Sequence, residues 1–278
     1  MVWLRYLVIA LLVLSTGCAV RHIPDNLAEG ILSNDDLDMV GDGLPTYLLT
    51  LDGLVLTYPN STALLGTAAE LNSAYAGVFV TDDSRVRKLT SKALNLADRA
   101  ACSEVKALCG LRNVRATEAE TSIETVTRKR HAPALYLLGS TWAGYIQAHS
   151  DDWNAVADLA KVQRLLEQQT RVAPGHNHGM GELYLAVLSS LLPPALGGQP
   201  EVAQRYFEQA LHYSDNQNLI AKVYYAQNYA RMVFDQELHD RLLNEVLSAD
   251  PVADTLTLQN TYAQRLAREL LRSGEHYF

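Results

Sequence analysis

Three helix–loop–helix units follow one another between Ala134 and Pro251, and they restrict the chain to a helical-repeat scaffold. The connecting loops are HSDDWNA (149–155), LPPALGGQPE (192–201) and FDQE (234–237). VAPGHN (172–177) and SDNQN (214–218) separate the units, and ADP (249–251) closes the third. These loops gather the Gly, Pro, Asn, Asp and Ser residues that stop one helix and cap the next. The stretches between them carry apolar residues at helical spacing. In the first, Leu138, Trp142, Tyr145 and His149 fall on one face, with Pro133 at the first turn, where its missing N–H costs nothing.

The same reading extends outward. Asn34-Asp35-Asp36, Ser61 and Asp82-Asp83 are helix caps ahead of apolar-periodic runs. Pro45 and two glycines are expected to interrupt the first long run. Residues 101–130 leave a surface helix and an irregular crossover both open. A final amphipathic helix, roughly Asp254 to Arg272, suits a terminal cap with a solvated face. Alternation at period two is absent, so the chain is predicted to be all-α.

The first seventeen residues stand apart. Arg5 is their sole charge, Tyr6 to Leu14 is almost wholly apolar, and Leu14-Ser15-Thr16-Gly17 leads into Cys18. A short apolar core ending in small residues reads as a cleavable signal, too short for a membrane span. Small residues directly before a cysteine resemble the bacterial lipoprotein box, which implies that Cys18 is the lipidated first residue. The expected organisation is therefore a signal over 1–17, a lipidated tether over 18–34 and a single α-helical domain over 35–278. Ala19 is not the aspartate that retains such proteins at the inner membrane. That resemblance implies an outer-membrane anchor facing the periplasm.

Over residues 18–278, 22 basic side chains face 31 acidic ones. That balance excludes nucleic acid and a polybasic membrane surface as partners. The membrane is expected to be reached through the N-terminal lipid alone. Two cysteines follow Cys18. Cys102 and Cys109 would lie about 10.5 Å apart on a continuous helix, too far to bridge. A disulfide requires the chain to leave the helix between Ala101 and Gly110, and both outcomes stay open.

Catalytic signatures are not found: no G-x-S-x-G elbow, phosphate loop, HExxH or EF-hand spacing occurs. Neither an enzyme nor a cofactor is expected. His176-x-His178 lacks a third ligand nearby, so no metal is assigned to it. Asp151-Asp152 and Asp82-Asp83 sit where caps belong. Lys222, inside an apolar helix, is expected to pair with an acid or extend to solvent.

Ala203, Phe207 and Ala210 follow the A-x3-F-x2-A spacing of tetratricopeptide repeats, and Gly181 and Tyr184 match the G-x2-Y pair of the preceding helix. The LPPALGG loop makes this unit longer than the standard one. The fold expected is a tetratricopeptide-like array of antiparallel helix pairs. In such stacks the first helix of each pair lines the concave face. That places Trp142, Tyr145, Tyr184, Tyr224, Tyr225 and Tyr229 in a ligand or partner groove.

The order of several segments is more specific still. Ala134–Ile146, SDDWN (150–154), LPPALGG (192–198), AKVYYA (221–226) with Tyr229-Ala230-Arg231, and the helix ending at Asp250-Pro251 resemble the TRAP transporter T-component (TatT) family over about residues 30–272. The resemblance implies a periplasmic lipoprotein that docks the solute-binding subunit of a tripartite ATP-independent periplasmic transporter. It also implies an apolar or amphipathic ligand, bound or passed in the groove, and is compatible with a homo-oligomer. The alternative is a helical-repeat lipoprotein that supports assembly of an envelope complex.

Overall fold

The computed structural model describes residues 23–192 and 198–278; the signal segment, Cys18 and the PPALG portion of the long loop lie outside these. Thirteen α-helices and no strand occur among the described residues, so the chain is all-α. They are α1 (Ile23–Leu32), α2 (Leu37–Thr57), α3 (Thr62–Phe79), α4 (Asp83–Glu104), α5 (Ala116–Glu124) and α6 (Ala132–Ala148). After these come α7 (Trp153–Ala157), α8 (Leu159–Val172), α9 (His176–Ser189), α10 (Pro200–Tyr213), α11 (Leu219–Tyr224), α12 (Gln236–Ser248) and α13 (Thr257–Tyr277). A π-helical turn, Tyr225–Ala230, prolongs α11.

Capping sets the starts. The Asp36 carboxylate accepts from the Met39 amide at 2.9 Å, Asp82 from Arg85 at 2.8 Å, Asp152 from Asn154 at 2.9 Å and Asp235 from Leu238 at 2.9 Å. Each satisfies an amide that the first turn would leave orphaned. Two expectations fail near the N-terminus. The segment expected to be a tether is helical over Ile23–Leu32 and packs on α3 and α13. Pro45 does not break α2, which runs unbroken through it. A helix-interior proline costs about 3 kcal/mol. Val40, Leu44, Leu48, Leu51 and Val55 form one continuous buried stripe, and at about 1.5–3 kcal/mol for each fully buried aliphatic side chain that stripe outweighs the proline.

Successive helices pack in pairs: α3 with α4, α6 with α8, α9 with α10, and α11 with α12. The first members and α13 form an inner row in which each touches the next. The last, α13, then meets α1 and α2, and its Arg265 guanidinium donates to the Val78 carbonyl near the end of α3 at 3.5 Å. The inner row therefore closes on itself. Between inner and outer helices lies the core, with Leu138, Trp142, Leu165, Leu166 and Phe207 fully buried. Gly139 lets α6 approach α8, because a Cβ there would stand 3.0 Å from Leu166.

At Glu104 α4 ends. Val105 is extended, Lys106–Leu108 form a 3₁₀ turn, and Gly110 adopts φ +72°. This departure from helix brings the Cα atoms of Cys102 and Cys109 to 4.4 Å, and the two form a disulfide. The question that their spacing left open is thus answered. The polar stretch beyond is a helix, α5, with Ile123 buried, followed by the buried Val126. Cross-linking an eight-residue loop removes denatured-state entropy equivalent to about 2.5 kcal/mol. Replacing both Cys102 and Cys109 by Ser is expected to lower the unfolding free energy measured in urea by up to that amount, and an unchanged midpoint and slope would show that the bridge carries no stability.

Candidate site inside the inner helix row

Each of four inner helices places one tyrosine at nearly the same level. Tyr136 is the fifth residue of α6, Tyr224 the sixth of α11 and Tyr262 the sixth of α13. Tyr184 is the fifth residue after the left-handed turn that opens α9. The Tyr136 and Tyr184 rings meet edge-on with centroids 6.3 Å apart, and Tyr136 meets His176 in the same way at 5.9 Å. Burial raises the pKa of all four hydroxyls, and for Tyr136 and Tyr224 the neighbouring tyrosines add to it. Tyr184 and Glu70 raise Tyr136, while Tyr262 and Tyr184 raise Tyr224.

Glu70 on α3 lies near enough to Tyr136 to raise its hydroxyl. Its side chain keeps accessible surface, yet burial alone raises its carboxyl above the ordinary range. A recess of about 350 Å³ reaches it along Ala63, Gly66 and Thr67 of α3, between the end of α4 and Pro133, Ala134 and Leu137 of α6. Burial likewise lowers the pKa of the His176 imidazole. The tyrosines remain half-buried rather than enclosed. The arrangement offers hydroxyls, a carboxyl and aromatic rings on an otherwise apolar wall. Such a surface recognises a ligand with a polar head and an apolar body.

The level of these tyrosines is fixed by buried amides. The Asn260 side chain accepts from the Leu219 amide at 3.0 Å and donates to the Gln217 carbonyl at 2.9 Å, pinning the start of α11 to α13. Asn218 donates to the His178 carbonyl at 3.2 Å and accepts from Gln259 at 2.7 Å, drawing α9 into the same network. Both asparagines are essentially inaccessible. The turn they grip is strained, because Asn177 and His178 have φ of 52° and 53°. Left-handed backbone costs about 1–2 kcal/mol per non-glycine residue, and such strain gathers at functional sites. Gly179 follows at φ +73°, and a Cβ there would meet the Ala210 carbonyl at 2.8 Å, so only glycine fits.

Of the six groove residues expected from sequence, the structure brings Tyr184 and Tyr224 to the interior. The others are placed elsewhere. Trp142 is wholly inaccessible in the core, with the Lys161 ammonium 5.6 Å from its ring centre. Tyr225, 6% exposed, stacks on Phe207 at 4.8 Å, and burial pushes its hydroxyl to about 12. Tyr229 donates to Gln204 of α10 at 2.9 Å, and Tyr145 stacks on His149 at 4.1 Å beside Arg112. The reason is helical geometry: side chains three or four residues apart share a face, whereas Tyr224 and Tyr225 are divided between two. Tyr136, Tyr262 and Glu70 were missed. The signal available was register, since ALYLL, ELYLA, KVYYA and NTYAQ each carry the tyrosine at one place in the inner helix.

The remaining candidates have structural partners. Lys222 donates to Glu245 at 2.7 Å, Asp151 pairs with Arg87 at 2.8 Å and Asp152 is a cap. No group of three His, Cys, Asp or Glu side chains able to hold a metal occurs among the described residues, and His178 instead bonds Thr255 at 3.0 Å. A second cleft of about 340 Å³ on the outer side is lined by Glu167, Arg171, Glu182 and Tyr206. Glu167 is paired with Arg164 there, and Arg171 with Gln168.

Residues 33–278 match the TRAP transporter T-component (TAtT) family. The chain belongs to that family. No curated protein matches it. This T-component family is a transporter component and not a family of enzymes, so a role in TRAP transport follows. No described helix of this T-component is long and apolar enough to cross a membrane.

Two predictions follow from the geometry. A carboxyl whose folded pKa is raised stabilises the protein fully below its unfolded value and loses that contribution as pH rises through the folded value. Glu70→Gln should therefore raise the melting temperature at pH 8 and have little effect at pH 4; an equal shift at both would show that Glu70 is not desolvated. Asn260→Ala leaves a backbone amide and two carbonyls without their buried partner, which costs about 2–4 kcal/mol. Chemical denaturation should show that loss, together with altered tyrosine fluorescence as the interior ring loses its register.

Proposed function

We propose that this T-component is a non-enzymatic scaffold that docks the periplasmic solute-binding subunit of its transporter and holds an apolar or amphipathic ligand among the interior tyrosines. The observation that carries the ligand half is the closed inner row with four tyrosines at one level. Family membership supports the docking half. The lipoprotein-like sequence at Cys18 supports attachment by lipid, with the helical domain in the periplasm and the anchor in the outer membrane. Catalysis is not part of this reading, because the polar groups of the interior form no nucleophile–base pair.

Three measurements test it. Affinity capture from envelope extracts should recover a solute-binding protein with the native chain. Replacing Tyr184 and Tyr224 by Ala should reduce binding of apolar ligands without changing that capture, since both side chains point inward. Cys18→Ser should move the protein from the membrane fraction to the soluble one. Recovery of outer-membrane assembly factors, with no solute-binding protein, would overturn the docking assignment.

A further inference from the structure

The helix order gives the closed row two unlike ends. Each inner helix is followed by an outer partner that runs back beside it, so the inner helices all run one way. The starts of α9, α11 and α13 are held together by Asn218 and Asn260, and the start of α6 meets that of α9 through Tyr136 and His176. The inner helices therefore finish together at the other end. Contacts join the elements there. Arg87 at the start of α4 pairs with Asp151 after α6 at 2.8 Å, and the Phe234 ring after the π-turn lies 6.1 Å from that of Tyr277 at the end of α13. Large apolar side chains stand out at this end. Trp153 is 85% exposed and Phe234 64%, and Leu191, Leu192 and Tyr277 are exposed beside them. Scattered exposed apolar residues are ordinary, but a group of them at one end of the fold marks an interaction face. Phe234 also has φ +61°, a costly backbone for a bulky residue that glycine would adopt freely. The fold gives little reason for a phenylalanine in that turn.

The same end is acidic for a structural reason. The helices that run back from it start there, and the carboxylate caps Asp36, Asp82, Asp152 and Asp235 are all theirs. Asp35, Asp83 and Glu237 stand exposed next to these caps. The nearest arginines are turned to the chain. Arg87 is paired with Asp151, Arg85 donates to the Tyr75 hydroxyl at 3.2 Å, and Arg231 donates to the Leu270 carbonyl at 3.3 Å and to Ser273 at 2.8 Å. Lys88 and Arg272 lie more than a turn inward along α4 and α13. At the opposite end Tyr58 and Val252 are exposed, but there the run Arg128-Lys129-Arg130 is exposed as well.

Charge decides the occupant. Exposed aromatics alone would also suit a lipid surface, but anionic headgroups would be repelled by the acids around them. A second copy placed end to end would set those acids against each other, which costs rather than binds. We infer that this end of the row docks a partner protein whose surface sets lysines and arginines around an apolar patch, with Trp153 and Phe234 as the anchors. This rests on the proposed docking of a solute-binding subunit, and it gives that subunit's contact face its chemistry. The exposed rings supply the area that a partner buries. The acids steer its approach and fix its orientation.

The test is calorimetric titration of the purified full chain with the purified solute-binding subunit of its transporter. Trp153→Ser and Phe234→Gly should each weaken binding about tenfold or more. Neither removes a buried side chain, and melting close to the native temperature shows that both variants fold. Native binding should weaken several-fold between about 0.05 and about 0.5 M NaCl, and Asp83→Asn with Glu237→Gln should flatten that dependence. Tyr58→Ser and Val252→Ser, at the opposite end, should bind as the native chain does. Native affinity in Trp153→Ser and Phe234→Gly, or loss of binding in the opposite-end variants alone, would overturn the face and leave docking standing. An affinity that does not fall with salt would overturn the basic character of the partner. Pelleting of the Cys18→Ser chain with phosphatidylglycerol vesicles, or its self-association, if abolished by Trp153→Ser, would make this end a lipid or self contact and overturn the inference. No binding by the native chain would remove the docking reading itself, and this inference with it.

Discussion

Two buried amides, Asn218 and Asn260, hold the starts of three inner helices at one level. Each helix begins with backbone groups that its own turns cannot satisfy, and in the closed row these starts are buried. Asn260 meets the Leu219 amide and the Gln217 and Pro251 carbonyls, and Asn218 meets the His178 carbonyl. An amide side chain donates and accepts along fixed directions, so it sets position as well as energy. Apolar packing between α9, α11 and α13 would tolerate sliding by part of a turn. The hydrogen bonds do not, and a slide would bury groups that cost about 1–3 kcal/mol each when unpaired.

From that registration the interior follows. Large apolar side chains of the outer helices pack onto the inner ones, as with Phe207 against Tyr225 and Leu166 against Gly139. What faces the middle is the residual stripe of each helix, and on four of them it carries a tyrosine. Tyrosine is too polar at its tip to be sealed in an apolar core unless the hydroxyl finds a partner. Several hydroxyls at one level solve this only by meeting each other, a neighbouring amide or serine, or a ligand. The Asn177 and Ser140 contacts of Tyr136 are instances. The space stays open because filling it with aliphatic side chains would strand those hydroxyls.

The fold was legible because its signals are local. Caps such as Asp82 and Asp235, the loop residues and the 3.6 period each act within one turn of helix, and the structure places helices where they predict. Pro45 misled because its cost is local and its compensation is not: the stripe from Val40 to Val55 packs on other helices. The Cys102–Cys109 bridge was undecided for the same reason, since it depends on whether α4 yields at Glu104.

The site was less legible because inward and outward faces of an inner helix differ by 100° per residue and both are apolar in composition. Trp142 and Tyr225 looked like ligand contacts by type, yet each serves the interface with an outer helix. Type alone cannot separate them, but type at a repeated register can. Tyr136, Tyr184, Tyr224 and Tyr262 recur at one position across four helices whose other residues vary in size and polarity. Core packing between dissimilar outer helices gives no reason for one residue to recur, because each core position answers to a different neighbour. A shared central space gives that reason, since all four side chains answer to the same surroundings.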